Sequence, residues 1–163
     1  MAAAWAFMGI DPGKTGAIAV ISSLEDASTI DGSFAFAKRT DTDIWYVIEG
    51  VAESCRQGSV ILTAILEQVS IRPQDGRASG AKFMTNYGML HGFLIAAQIR
   101  AIRVTPAVWA RKLGRIDPKG TPKTEKKRRN KALAQELFPH AHVTLQNCDA
   151  FLLAEYGRRF HGE

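Results

Sequence analysis

Residues 5–21 read WAFMGIDPGKTGAIAVI, two apolar runs joined by a polar turn. Trp5 to Ile10 predicts a first strand. Residues 11–16, Asp-Pro-Gly-Lys-Thr-Gly, predict a turn, because Pro and Gly interrupt both the helical and the strand periodicity. Ala17 to Ile21 then predicts a second strand, in a hairpin with the first. The consequence is an acid, Asp11, at the end of a buried strand.

Outward from this hairpin the chain alternates. A third strand is predicted from Thr29 to Phe36. Ile44, Val47, Ile48, Val51 and Cys55 repeat at intervals of three or four and predict one apolar helical stripe, with Asp41, Thr42 or Asp43 as its cap. Val60 to Leu66 is nearly all apolar, as a central strand covered on both faces must be, and it ends at Glu67. Residues 70–79 carry loop chemistry. Ser79 is placed to cap a long helix reaching about Gln98, with Phe83, Tyr87, Leu90, Leu94 and Ala97 on its apolar face. Gly80, Met84, Gly88 and Gly92 form another face, which predicts close packing of either the sheet or a partner's helix.

Ala101 to Thr105 predicts a short strand and Pro106 to Leu113 a short helix. A basic helix begins at Thr124 or its neighbour and stops before Pro139. Asn147 is placed to cap a last helix to about Phe160. The order is β-β-β-α-β-α-β-α-α-α. It predicts an α/β fold, a mixed five-stranded sheet with helices on both faces.

At 163 residues and 46% hydrophobic the chain fits one domain, residues 1–163, with a sizeable core. Its apolar N-terminus is broken by Asp11, well short of the about 20 residues of a membrane span. Cys55 and Cys148 match no metal or redox spacing. A cytoplasmic, reducing location is expected. The net charge is +5, yet residues 111–131 hold ten Lys or Arg against two acids, a local balance of +8. The remainder, with eleven basic and fourteen acidic residues, is at −3. Such a segment attracts phosphate, or is a solvated basic surface.

Three acids carry the candidate chemistry. Asp11 has glycines beside it that let a phosphate backbone approach. Its carboxylate is a hard oxygen ligand suited to Mg²⁺ or Mn²⁺, or else it belongs to an ordinary Asp-Pro-Gly turn. Glu67 emerges next to Asp11 if their strands are neighbours, and two such carboxylates repel unless a cation lies between them; otherwise it is a solvated strand end. Asp149 sits in the first turn of a helix, where the macrodipole favours an acid whether or not it binds metal.

Taken together, Gly9-Ile10-Asp11-Pro12-Gly13 with Gly16, the strand ending in Glu67, and Asp149-Ala150-Phe151-Leu152-Leu153-Ala154 resemble the three acidic motifs of RuvC-type Holliday-junction resolvases. The tail Ala154-Glu155-Tyr156-Gly157-Arg158-Arg159 looks like phage and prophage relatives. The resemblance covers nearly the whole chain. It implies an RNase H-like, homodimeric nuclease that binds four-way DNA junctions and nicks two strands symmetrically. It implies Asp11, Glu67 and Asp149 as ligands of two Mg²⁺ or Mn²⁺ ions. The usual fourth ligand, an Asp or His three residues before the last acid, is replaced here by Gln146, which carries no charge. Natural variation, compensation by a group such as His142, and inactivation are all open.

The resemblance also implies DNA contacts. Lys126, with Arg111 or Lys112, falls where the family places lysines near the scissile phosphate. Lys119, Lys123, Lys127, Arg128 and Arg129 would add phosphate contacts. Gly13 and Lys14 in the turn, Arg72 and Arg77, and Lys82 and Phe83 at the start of the long helix face the junction in this reading. Phe83 either stacks on an unpaired base or packs in the core. Two other classes stand beside the nuclease. One is a junction-binding module that no longer cuts, motivated by Gln146. The other is an actin-like or sugar-kinase ATP-binding fold, motivated by residues 11–16, for which the chain is short.

Overall fold

The computed structural model describes residues 4–23, 32–68 and 76–162. Five strands, β1 (Trp5–Asp11), β2 (Ala17–Ser22), β3 (Gly32–Ala35), β4 (Ile61–Glu67) and β5 (Arg100–Val104), form one sheet in the order β3-β2-β1-β4-β5. The hairpin β1–β2 and the pair β2–β3 are antiparallel, while β1–β4 and β4–β5 are parallel. The helices are α1 (Asp41–Gln57), α2 (Arg77–Ala96), α3 (Pro106–Lys112), α4 (Lys123–Leu137) and α5 (Cys148–His161). The mixed five-stranded sheet and the element order are those the sequence predicts. The first part of the third predicted strand, 29–31, lies outside the described residues.

Side-chain alternation along the strands decides what lies on each face. Ala6, Met8 and Ile10 of β1, with Ala64 and Leu66 of β4, join the core under α1 and α2. Phe7 and Ile65 belong to the second core, with α3, α4 and α5. The nearly continuous apolar character of β1 and β4 follows from this double cover.

Some helix ends differ from expectation. Thr40 caps α1, its Oγ1 accepting from the Asp43 N–H at 3.1 Å while Asp43 accepts from the Thr40 N–H at 2.8 Å, a reciprocal capping box. Ser79 caps nothing; α2 begins at Arg77, behind Gly76, without a side-chain cap. Asn147 does precede α5, but its side chain serves the preceding turn. Its Oδ1 accepts from the Thr144 N–H at 2.7 Å, and its Nδ2 donates to His142 O and to Ser33 Oγ, both at 2.9 Å. This pins the start of α5 to β3.

Leu90, Leu94 and Ala97 of the predicted α2 stripe are buried, while Phe83 and Tyr87 are half-buried. A Cβ added to Gly88 or Gly92 would meet nothing within 4 Å, so the sheet does not pack on that face. Among the described residues no helix is long and apolar enough to cross a membrane.

Candidate active site

The register Ile10↔Leu66 of the parallel pair makes Asp11 and Glu67 neighbours at the carboxyl end of the sheet. Asp11 lies an even number of residues from Phe7, and Glu67 from Ile65. Both acids therefore project on the face covered by α5. A glycine lets that helix come close. A Cβ on Gly9 would lie 1.9 Å from the Ala150 carbonyl oxygen, so α5 rests directly on the β1 backbone. That contact brings Asp149, in the first turn of α5, to the same end of the sheet.

The two readings of Asp11 divide between its oxygens. Oδ1 accepts the Gly13 N–H at 3.1 Å, as in an Asp-initiated turn, and Gly16 N–H closes the turn on Gly13 O at 2.8 Å. Oδ2 faces the Lys127 ammonium at 3.5 Å. The same ammonium donates to Asp149 Oδ2 at 2.5 Å, while Asn130 Nδ2 donates to Asp149 Oδ1 at 2.7 Å. Glu67 is buried and accepts the Trp109 indole N–H at 2.9 Å.

The electrostatics match this crowding. Burial pushes the Glu67 carboxyl up to about 8, and the neighbouring Asp11 charge adds to it, against the Trp109 hydrogen bond. Burial also raises Asp11; Lys127 opposes this and Asp149 reinforces it. For Lys127, burial would lower the ammonium, but the Asp149 and Asp11 charges prevail and raise it. Burial and Asp149 push the Cys148 thiol up to about 12, making it an inert neighbour.

Among the described residues no three His, Cys, Asp or Glu side chains already converge on one point as metal ligands. The reason is visible: Lys127 lies between Asp11 and Asp149, and Glu67 turns to Trp109. The donor set still suits a hard divalent cation, being carboxylate oxygens that repel one another and already draw in one positive charge.

The other predicted residues separate into groups. Lys127, one position after the expected Lys126, is the lysine that reaches the acids. Lys126 is half-buried, and its carbonyl accepts from Arg115 Nη1 at 2.9 Å. Lys112 covers the Phe160 ring at 5.2 Å. Phe160 lies eleven residues along α5 from Asp149, about 17 Å at the helical rise, so Lys112 is directed away from the acids. Arg111, Lys119, Lys123 and Arg128 are exposed. Arg129 is paired with Glu125 at 3.1 Å and Asp117 at 3.7 Å, and Arg115 with Asp117 at 2.9 Å, so the basic segment is partly neutralised within itself. Gln146 is exposed, and its backbone N–H donates to Thr144 Oγ1 at 3.2 Å. Gly13, Lys14, Lys82 and Phe83 line one cavity beside the Asp11 turn, and Arg77 is exposed at the head of α2. Arg72 lies outside the described residues.

Among solved structures, the chain is similar to Thermus thermophilus RuvC, with a TM-score of 0.54 over 96% of both chains at 14% identity. The fold is that of RuvC. A second RuvC structure from the same organism, in complex with a Holliday junction substrate, matches with a TM-score of 0.54 at 12% identity, covering 94% of this chain and 95% of that one. The sheet and its helices are thus the RNase H-like arrangement expected. No protein-family model matches the sequence, and no curated protein matches it.

Trp109, Asn130 and Lys127 as the bridging cation are the partners of the three acids that sequence reading missed. In the structure Asn130 and Ala134 are the buried residues of α4, and Lys127 stands three and seven positions before them on the same helical face.

Proposed function

We propose that this chain is a structure-selective endonuclease that cuts branched DNA, four-way junctions in particular, by metal-dependent phosphodiester hydrolysis. The observation that carries the proposal is the placement of Asp11, Glu67 and Asp149 at one end of a RuvC-like sheet, with Lys127 bridging Asp11 and Asp149. In this reading the three carboxylates hold Mg²⁺ or Mn²⁺, two ions per site. Such ions activate a water and stabilise the leaving oxygen. Trp109 fixes the Glu67 carboxylate, and Asn130 fixes that of Asp149. Lys127, released from its bridge, stands ready to neutralise an incoming phosphate. Lys14, Lys82, Lys119, Lys123 and Arg128 supply exposed charge for the DNA backbone, which positions without specifying sequence. A homodimer, joined through the uncovered Gly88–Gly92 face, would give the two sites that paired nicks require.

The test is cleavage of an end-labelled four-way junction with Mg²⁺ or Mn²⁺, beside gel shifts on that junction and on linear duplex. Paired symmetric nicks are the expected result. Junction-selective binding without nicks would favour the second reading, a binding protein disabled at the exposed Gln146. Gln146→Asp should then restore cutting. Absence of both binding and cutting would reject both readings.

A consequence concerns Lys127. Its ammonium and a divalent cation compete for the same oxygens, so Lys127→Ala should bind Mn²⁺ about tenfold more tightly, a difference of about 1.4 kcal/mol. Calorimetry without DNA reads this directly. Cleavage by the same variant should fall. Unchanged Mn²⁺ affinity would mean that the ammonium does not guard the site.

A further inference from the structure

The chain turns sharply after α3. Gly114 takes a left-handed φ of 81°, its N–H donates to Arg111 O at 3.0 Å, and the Arg115 N–H donates to Ala110 O at 2.9 Å. These paired bonds are a Schellman ending, which favours glycine at its left-handed position. Beyond the turn the Arg115 guanidinium comes to lie over the Trp109 ring, 5.9 Å from its centre.

The same guanidinium holds two other groups. Nη1 donates to Lys126 O at 2.9 Å, and Nη2 pairs with Asp117 at 2.9 Å. The Arg115 and Asp117 side chains are 14% and 8% exposed, so the pair is largely out of water. Arg115 thus joins α3, the connection to α4, and α4 itself at the residue before Lys127. Its Nε is buried and has no hydrogen-bond partner among the described residues. A buried cation placed for stability alone would satisfy every donor. Here the ring and the two Nη partners set its position, and Nε goes without. Trp109 carries the arrangement on to the acids. It is buried, and its indole N–H donates to Glu67 Oε1 at 2.9 Å.

We infer that Arg115 is a positioning residue for Glu67: it clamps Trp109, and through the indole N–H it fixes Glu67 Oε1, leaving the other oxygen for a divalent cation. Carboxylates that bind metal are commonly held by such outer partners, which orient them. Arginine suits the role, because its planar fork covers a ring and reaches two acceptors at once, which the single ammonium of a lysine does not. The inference rests on the metal-dependent reading above. It adds a residue that the sequence reading did not select, in a segment otherwise read only for its attraction to DNA.

The test compares Arg115→Lys, Trp109→Phe and the double variant. Calorimetric titration with Mn²⁺, without DNA, reads the site itself. Trp109→Phe is expected to weaken Mn²⁺ binding by about tenfold, as loss of a ligand's outer partner does, and Arg115→Lys by roughly threefold or more. The double variant should bind no more weakly than Trp109→Phe alone, because both changes break one chain of contacts. A second readout needs no metal. With Trp5→Phe and Trp45→Phe in place, Trp109 is the one tryptophan left of three. Arg115→Lys should then move its emission to longer wavelength, as water reaches the ring. Losses that add in the double variant, unchanged Mn²⁺ affinity in Arg115→Lys, or unchanged Trp109 emission would overturn the inference. So would weaker junction binding in EDTA at wild-type Mn²⁺ affinity, which would make Arg115 a DNA contact. Asp117→Asn, which loosens the guanidinium without removing it, repeats the comparison if Arg115→Lys fails to fold. Wild-type protein that binds Mn²⁺ and cuts no junction would count against the nuclease reading while leaving this test intact; wild-type protein that binds no Mn²⁺ would overturn both.

Discussion

Gly9→Ala is expected to be severely destabilising for a change of a single methyl group. The added Cβ would lie 1.9 Å from Ala150 O and 2.5 Å from Ala154 N, both backbone atoms of α5. No side chain can rotate to make room, so the helix must move off the sheet. Displacing α5 also disturbs Leu152, Leu153 and Ala154, which are fully buried. A loss of roughly 4 kcal/mol or more is expected, the range reserved for severe core disruption. Urea unfolding monitored by circular dichroism reads it, with Gly50→Ala, inside α1, as the comparison. At Gly50 nothing lies within 4 Å of the added methyl, and the gain in helix propensity should stabilise by about 0.5–1 kcal/mol. A Gly9→Ala protein that unfolds at the wild-type midpoint would show that α5 does not rest on β1 as described.

The same glycine shows how much of the site could be read from the sequence. Asp11 and Glu67 were legible because each ends an apolar strand, and an acid there stands out against its surroundings. Asp149 was legible as a first-turn acid of an apolar helix. Their meeting depends on the β1–β4 register and on α5 touching the β1 backbone, and those are long-range facts that no local pattern contains. The lysine was less legible. In Lys126-Lys127-Arg128-Arg129 every residue has the same chemistry, and successive positions on a helix point about 100° apart. Only the inward face, marked by Asn130 and Ala134, selects Lys127. Trp109 gave no signal, since its partner Glu67 is 42 residues away. The caps failed for a related reason. Thr40 and Asp43 satisfy each other, and Asn147 is engaged by Thr144 and His142, so proximity to the helix start did not decide which side chain caps it.

Glu67→Gln is expected to separate stability from function in one substitution. The change is nearly isosteric, and the amide oxygen can still accept the Trp109 indole N–H, so packing and the hydrogen bond survive. What disappears is a buried negative charge facing Asp11 and Asp149. That charge is disfavoured in the metal-free protein, first by burial and then by its acidic neighbours, as the rise of this carboxyl to about 8 records. Removing it should therefore raise metal-free stability at pH 8 by about 1–2 kcal/mol, a gain typical of relieving strain at a functional site. Junction cleavage should fall by roughly 10³-fold or more, because a neutral amide can neither hold a divalent cation as a carboxylate does nor balance its charge. Thermal melts in EDTA and cleavage in Mn²⁺ read the two effects separately. If Glu67 served only the fold, through Trp109, the substitution would leave both stability and cleavage near wild type. If it lowered stability, the negative charge would be balanced in the metal-free protein by something other than the neighbours described. A more stable, inactive protein is what a carboxylate kept for a cation, at a cost to the fold, predicts.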